Sequence, residues 1–325
     1  MARLRTRLTE QLGIVHPILS APMALAGGGA LAAAVTRAGG LGLIGGGYGD
    51  TEWLGAQFLA AGNEAVGCGF ITWSLARQPE LLEQALSHRP RAIMLSFGDP
   101  RPFAPAIAAA GARLICQCQT MQHVREALDA GASIIVAQGA EAGGHGQSRA
   151  TMTLVPEVAD HLAKASPDTL LVAAGGIADG RGLAAALMLG ADGVLVGTRL
   201  WASREALTHA RHQQAALAAD GDASIRTSVP DVARQLDWPR PFTARVANNA
   251  YIQRWQGREA ELHAAADVEA PRYREAFMAG DPDNAGVFFG EAAGLIHDVP
   301  PAGEIITRMV TEAANLLAGA AARLA

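Results

Sequence analysis

The feature that most constrains the fold is a repeated pattern of short apolar runs, each followed by a segment with helical character. Eight such runs read as buried strands, and glycines close several of the helices between them. The predicted strands cover residues 14–20, 41–44, 65–72, 92–97, 113–117, 133–136, 170–174 and 193–196. The predicted helices among them cover residues 30–38, 53–61, 80–87, 103–110, 121–130, 154–163 and 181–189.

Alternating strands and helices predict a parallel sheet of the α/β class. The strands are apolar throughout, which indicates burial on both faces. An open, doubly wound sheet needs no particular number of strands, so a count of eight favours a closed (β/α)8, or TIM, barrel. The chain has 325 residues, which accommodates one barrel of roughly 250 residues plus an insertion.

The pattern changes after Trp201, where residues 204–220 predict a long polar helix. Residues 221–284 then predict a helical insertion, or cap, over the strand ends. Residues 1–220 and 285–325 would form the barrel, with a C-terminal helix from Gly303 to the end that packs back on it.

Charge and cysteine content exclude several functional classes. The 26 basic and 31 acidic residues give a formal charge of −5, and no basic block indicates nucleic acid or an anionic membrane surface. No apolar run is long enough for a signal peptide or a membrane span. The 3 cysteines are too few for a disulfide scaffold. We expect a cytoplasmic protein. The sequence does not determine the oligomeric state, for which we expect a homodimer.

The best candidate for catalysis is His145. It lies in the glycine-rich segment 137–146, directly after an apolar strand. Barrel enzymes place their chemistry at the C-terminal ends of strands, and an imidazole acts as acid, base or donor near neutral pH. The alternative is a solvated histidine on a glycine turn. Other histidines are interpreted as structural or solvated, namely His16, His123, His161, His209 and His212.

Two late loops are candidates for binding a phosphate group. Gly175 and Gly176 follow the seventh predicted strand, and Gly197 and Thr198 follow the eighth. Barrels often bind phosphate at these two loops, where backbone N–H groups converge on an anion. The alternative is that the glycines only turn the chain. The glycine-rich early strands favour a flat ligand, such as a flavin, lying across the barrel mouth.

Polar residues at other strand ends have less specific interpretations. Gln117 and Gln138 could hydrogen-bond a heterocycle, or could contact solvent and loops. Asp99 is interpreted as a helix cap, and Cys68 as a buried thiol rather than a nucleophile. No metal-ligand spacing, nucleotide-binding fingerprint or G-x-S-x-G elbow occurs.

Taken together, the motifs resemble those of the nitronate monooxygenase family, a group of FMN-dependent barrel enzymes. The matching segments lie at 16–18, 21–23, 38–42, 141–145, 174–180, 197–199, 245–249 and 294–298. The resemblance implies contact between the flavin ring and Pro22, Met23 and Ala24. It also implies that Gln138, Gly143 and Gly144 line the flavin, that the two late glycine loops hold the FMN phosphate, and that His145 lies beside substrate and flavin.

The resemblance further implies oxidation of alkyl nitronates, or nitroalkanes, by O2 to carbonyl compounds and nitrite. His145 would stabilise the anionic nitronate or take a proton from the neutral nitroalkane. Relatives often have asparagine where this chain has Gly69, and some have lysine where it has Gln117; both positions approach the flavin. The alternatives are an NAD(P)H-dependent flavin reductase, resembling enoyl-acyl-carrier-protein or NADH:quinone reductases, and a non-catalytic FMN-binding barrel.

Overall fold

The computed structural model describes residues 3–323 and shows the predicted barrel. Its eight strands are β1 (Ile18–Ser20), β2 (Leu43–Gly45), β3 (Gly67–Ile71), β4 (Ala92–Ser96), β5 (Arg113–Cys118), β6 (Ile134–Gln138), β8 (Leu170–Ala174) and β9 (Gly193–Val196). They are all parallel and are hydrogen-bonded in the order β1-β9-β8-β6-β5-β4-β3-β2. A parallel bridge between Leu19 and Leu41 joins β1 to the chain just before β2.

Helices surround the strands. They are α1 (Arg7–Leu12), α2 (Gly29–Arg37), α3 (Thr51–Ala61), α4 (Thr72–Leu75), α5 (Glu80–Ser87), α6 (Ala104–Ala109), α7 (Met121–Asp129), α8 (Thr151–Ala165), α9 (Gly180–Met188), α10 (Thr198–Trp201) and α16 (Ala302–Gly319). The C-terminal helix α16 packs on α9, where the Gly180 N–H donates to the Glu312 carboxylate at 2.8 Å. The predicted C-terminal helix is therefore present, but it ends at Gly319 and is followed by a short 3-10 helix over Ala320–Arg323. Residues 324–325 of the prediction lie outside the described range.

Two layers of apolar side chains account for the barrel's stability. Inside the barrel, side chains such as Leu43, Met94 and Val172 pack together, and Leu8 and Leu12 of α1 join the same cluster. Between strands and helices lies a larger apolar layer, which includes residues of α16. Both layers are buried, so the strands are apolar on both faces, as the sequence pattern predicted.

The region after the barrel strands contains more than the predicted helices. Its strands are β10 (Ser224–Thr227) and β11 (Thr243–Ala247), and its helices are α11 (Ala210–Leu217), α12 (Val229–Ala233), α13 (Ala250–Trp255), α14 (Glu259–Ala264) and α15 (Ala266–Met278). The strands pair antiparallel with each other and with a short strand β7 (Gly144–Gly146), in the order β10-β11-β7. A helical cap was predicted, and the two strands within it were not.

The long helix predicted over residues 204–220 is wrong for its first part. Helix α11 begins only at Ala210, where the His209 ring accepts a hydrogen bond from the Arg211 N–H. The chain before it is held instead to the loop after β1, because the Leu207 N–H donates to the Ala26 carbonyl at 2.9 Å. Within residues 3–323, each helix is too short or too polar to cross a membrane.

Close packing of α2 on the chain before β2 depends on Gly42. A Cβ built at Gly42 would lie 1.9 Å from the Ala32 carbonyl oxygen, which belongs to the helix backbone and cannot rotate away. We expect Gly42→Ala to lower the free energy of unfolding by about 2 kcal/mol or more, as overpacked core positions do. Urea denaturation measures this loss.

The matched control is Gly303→Ala in the first turn of α16. A Cβ there would lie 3.6 Å from the Ala38 Cβ, which is ordinary contact. We expect this variant to keep the unfolding midpoint of the native chain or to exceed it slightly. Equal midpoints for the two variants would contradict the packing argument.

Candidate active site

A cavity of about 510 Å³ opens at the C-terminal ends of the barrel strands. All residues that the sequence assigned to catalysis or to flavin binding line this cavity. These residues are Pro22, Met23, Ala24, Gln117, Gln138, Gly143, Gly144, His145, Gly175, Gly176, Gly197 and Thr198. The active sites of barrel enzymes lie at this same end of the barrel.

His145 is fixed by the second sheet rather than lying on a free loop. It is the central residue of β7, where its register partner is Ala244 of β11. Its side chain is only 7% exposed. The barrel thus supplies the histidine, and the insertion supplies the strand that holds it.

The imidazole of His145 contacts a buried carboxylate. Its Nε2 lies 2.9 and 3.0 Å from the two Asp231 carboxylate oxygens, and the Asp231 side chain is 3% exposed. Arg234, one helical turn further on, donates from Nη2 to the same carboxylate at 2.8 Å. The negative charge of Asp231 is therefore shared between an imidazole and a guanidinium.

Burial determines the protonation state of His145. Removal from water lowers its pKa below the usual 6.5, and the Asp231 carboxylate opposes this shift only in part. The imidazole is therefore neutral at pH 7. With Nε2–H donating to Asp231, the lone pair is on Nδ1, which makes no hydrogen bond to the described residues and is free to accept a proton.

Aromatic rings cover the imidazole. The Trp238 ring stacks on it with centroids 3.4 Å apart and planes 5° from parallel, and Phe97 meets it edge-on at 6.1 Å. Phe97 has φ of 65°, a left-handed conformation that costs a bulky residue about 1–3 kcal/mol. The Trp238 Nε1–H donates to the Tyr48 hydroxyl at 3.3 Å. These contacts keep water from the ring and so favour its neutral form.

Three glutamines form a network of side-chain hydrogen bonds that extends to the backbone of His145. Gln117 donates from Nε2 to the Gln138 Oε1 at 2.8 Å, and Gln119 donates to the same oxygen at 2.8 Å. Gln138 in turn donates to the His145 carbonyl at 3.2 Å. Both predicted glutamines line the cavity, and here they also orient the loop that carries His145.

Two arginines of the insertion hold the carbonyl groups of that loop. Arg226 donates to the carbonyls of Ala140 at 3.2 Å and Ala142 at 3.3 Å, and Arg245 donates to Ala140 at 3.0 Å. Burial and the neighbouring Arg245 lower the pKa of Arg226 to about 10, so it stays charged at neutral pH. Strands β10 and β11 therefore fix the loop by charged hydrogen bonds as well as by pairing.

The late glycine loops have unused hydrogen-bond donors. Gly175 and Gly176 have φ of 105° and 72°, and their N–H groups donate to no acceptor in residues 3–323. The Thr198 hydroxyl accepts from the Gly290 N–H at 3.0 Å, so its own proton remains available. Converging N–H and O–H groups of this kind suit an anion.

A close contact with Pro22 explains why position 69 is a glycine. A Cβ at Gly69 would lie 2.3 Å from the Pro22 Cγ, so Pro22 occupies the space into which a side chain at 69 would extend. This explains why an asparagine does not fit there unless the loop after β1 moves. The presence of Gly69, where relatives often have asparagine, thus depends on the position of Pro22 at the cavity wall.

Sequence reasoning missed the partners of His145. Asp231, Arg234 and Trp238 lie about ninety residues along the chain from the histidine, and spacing alone cannot connect them. One signal was present in β11, where small or apolar residues alternate with Thr243 and Arg245; Ala244 and Val246 are fully buried and their neighbours are partly buried. That pattern predicts a strand in the insertion, though not its pairing with β7.

Comparison with known proteins identifies the family. The family model described as nitronate monooxygenase matches residues 70–312. The chain belongs to the nitronate monooxygenase family. It is similar to a nitronate monooxygenase of Neurospora crassa, with 31% identity over 91% of this chain and 88% of that protein. It is also similar to the nitronate monooxygenase npaC of Metarhizium robertsii, with 35% identity over 94% and 93%.

Solved structures agree on the barrel. FabK from Thermotoga maritima superposes with a TM-score of 0.86 at 30% identity, covering 98% of this chain and 99% of that one. A nitroalkane oxidase from Streptomyces ansochromogenes shares the fold, with a TM-score of 0.79, 23% identity, and coverage of 97% and 100%. This nitronate monooxygenase family member is an oxidoreductase, and the family consists of flavin enzymes.

The contact with Asp231 generates a test of the His145 protonation state. Because the carboxylate raises the pKa of His145 against the effect of burial, Asp231→Asn removes the opposing charge. We expect the pKa of His145 to fall further below 6.5 in this variant. NMR titration of the imidazole nitrogens measures it.

The matched control is Asp237→Asn, because Asp237 lies six residues further on and its side chain is 93% exposed. This variant should leave the His145 titration where it is in the native protein. A pKa for His145 that rises, or stays the same, in Asp231→Asn would refute the assigned contact.

Proposed function

We propose that this protein is an FMN-dependent nitronate monooxygenase that converts alkyl nitronates and O2 to carbonyl compounds and nitrite. The observation that carries the proposal is the neutral His145, backed by Asp231 and adjacent to Arg234, at the wall of a cavity whose other loops have free anion donors. Membership of the family supports the reaction class. The cytoplasmic location and the homodimer stay predictions.

The residues present fit FMN. The free N–H groups at Gly175 and Gly176, with the Thr198 hydroxyl, would hold its phosphate. A Cβ at Gly144 would meet no atom within 4 Å, so the backbone there leaves space for a flat ring. Pro22, Met23 and Ala24 would contact the ring from the opposite loop, and Gln117 and Gln138 would present amide groups to it. When bound, FMN would supply the electron acceptor for the nitronate and the site of reaction with O2.

His145 has two chemical tasks in this scheme. Towards a neutral nitroalkane, its Nδ1 lone pair takes the proton from the carbon next to the nitro group. The C–H electron pair stays on the substrate as the nitronate, and the imidazolium formed is stabilised by Asp231. Towards a substrate that is already a nitronate, no proton needs to move, and His145 only contacts the anion.

Arg234 gives the site its preference for an anion. Its side chain lines the cavity and packs its guanidinium over the rings of Tyr48 and Phe288 at 5.5 and 5.1 Å. One of its N–H groups binds Asp231 and its Nε–H binds the Pro230 carbonyl at 3.1 Å. A side-chain hydrogen bond also joins Arg234 to Tyr48. The N–H groups left over would face the planar oxygens of a nitronate, which a guanidinium suits geometrically.

Anaerobic mixing tests the proposal against the reductase alternative. Flavin-loaded protein is mixed with propyl nitronate or with NADH in the absence of O2, and flavin absorbance is followed. Bleaching by the nitronate, followed by nitrite release when O2 is admitted, is the expected result. Bleaching by NADH alone would establish the reductase, and bleaching by neither donor would leave a flavin-binding barrel without this activity.

Replacement of His145 separates its two tasks. We expect His145→Ala to lower kcat/KM for nitroethane on the order of 10²- to 10⁴-fold, the usual contribution of a general base. Turnover of ethyl nitronate should fall much less, because that substrate carries no proton to remove. Nitrite formation measures both, and extracted flavin shows that the cofactor is retained.

The native enzyme should also lose activity towards nitroethane as the pH falls through the lowered pKa of His145. The base is active when neutral, so the midpoint lies below 6.5, and activity is complete above that value. The exposed His263 is the control, and His263→Ala should match the native profile. Unchanged turnover of nitroethane in His145→Ala, with flavin bound, would show that another group is the base.

A further inference from the structure

Part of the cavity wall is made by residues that are assigned neither to the flavin nor to the surroundings of His145. This part of the cavity, here called the tail lobe, is lined by Leu25, Leu207, Thr208, His212, Phe277 and Met278. We propose that the tail lobe binds the far end of the substrate, and that this end is an uncharged, mostly apolar chain or ring with a hydroxyl or N–H donor. The inference rests on the proposed function and names its substrate class.

Large apolar side chains surround the lobe and remain exposed to water. Leu25 and Leu207 are each 51% exposed, and Met278 is 74% exposed. Leu25 has φ of 63°, a conformation that is unfavourable for a branched residue and needs support from its surroundings. Exposed apolar groups gathered at the rim of a cavity are typical of a binding surface.

Two polar atoms in the lobe have no hydrogen-bond partner. They are the Nε2 of His212 and the Oγ1 of Thr208. His212 is 4% exposed, and an unsatisfied buried polar group costs about 1–3 kcal/mol. Apolar residues at both positions would pack without this cost. A ligand group that bonds these atoms removes the cost, which explains why polar residues stand in an apolar wall.

A hydroxyl is a suitable partner for His212. Burial lowers the pKa of His212, and the nearby His209 acts in the same direction, so the imidazole is neutral and one of its ring nitrogens has a lone pair. A hydroxyl can donate to such a lone pair or accept from a ring N–H, so it satisfies Nε2 in either tautomer. Both Thr208 and His212 line the cavity.

Charge excludes other kinds of tail. Among the residues that line the cavity, the charged ones are Glu141 and Arg234. Glu141 is bound to the Thr151 N–H and hydroxyl at 2.9 and 2.8 Å, and Arg234 is bound to Asp231. Neither is among the residues of the tail lobe, so a phosphorylated or carboxylated tail would find no cation among them. Arg211, beside the lobe, donates to the Ala279 carbonyl at 3.5 Å. A neutral tail needs no cation.

The test compares nitronates of equal length with different ends. For chains of three to eight carbons, kcat/KM is measured for the n-alkyl nitronate and for the same chain with a terminal hydroxyl. We expect at least one length at which the hydroxyl compound is preferred roughly three- to tenfold, the effect of one net hydrogen bond. The preference should appear in KM rather than in kcat.

Variants at His212 and Thr208 test whether these residues cause the preference for a hydroxyl end. The double replacement His212→Phe with Thr208→Val should bring the ratio between hydroxyl and methyl ends to about one. His263→Phe, on an exposed helix surface, is the control and should keep the native ratio. If the double variant does not fold, Thr208→Val alone, which keeps the side-chain shape, should reduce the ratio part of the way.

Direct binding gives a readout that does not depend on turnover. Calorimetric titration with hexan-1-ol should show tighter binding to the native protein than to the double variant. Turnover of propyl nitronate with no hydroxyl preference at any length, and equal hexan-1-ol binding, would overturn the tail lobe and leave the proposed function intact. Alcohol binding that depends on His212 in a protein that oxidises no nitronate would instead overturn the proposed function.

Discussion

The contact between the His145 imidazole and the Asp231 carboxylate is the interaction on which the rest of the site depends. Its two halves come from different parts of the chain: the histidine from the barrel and the carboxylate from the first helix after β10. A buried carboxylate needs compensating donors, and Asp231 has two, the imidazole and Arg234. In the proposed reaction the insertion therefore contributes to the chemistry as well as lining the barrel mouth.

The surroundings of this contact explain why the imidazole is neutral. A carboxylate at 2.9 Å in water would favour the charged form. Here Trp238 covers one face of the ring and Phe97 meets its edge, so the loss of hydration outweighs the nearby negative charge. The result is a histidine that can accept a proton and, once charged, has a partner in place. Proton transfer then requires little rearrangement around it.

The sequence predicted the barrel well because its signals are local. Apolar strands and glycine stops are each read within a window of about ten residues, and counting them along the chain gives the number of repeats. The sheet order then follows from the parallel connections. Residues at the strand ends were brought together for the same reason, since the carboxyl ends of parallel strands share one face. Pro22, His145 and Gly176 thus meet although they are far apart in the chain.

What the sequence did not show are contacts between barrel and insertion. The pairing of β7 with β11 joins residues about one hundred positions apart, and nothing in Gly144–Gly146 indicates a strand by itself. Asp231 lies in the five-residue helix Val229–Ala233, which is too short to show an amphipathic pattern. Its contact with His145 arises only in the folded chain. His145 could therefore be named as a candidate from the sequence, whereas its partner could not.

The three-stranded sheet has a mechanical consequence. One of its strands carries the His145 imidazole, and the other two belong to the inserted segment. A displacement of the inserted segment would therefore move the imidazole together with the wall of the cavity above it.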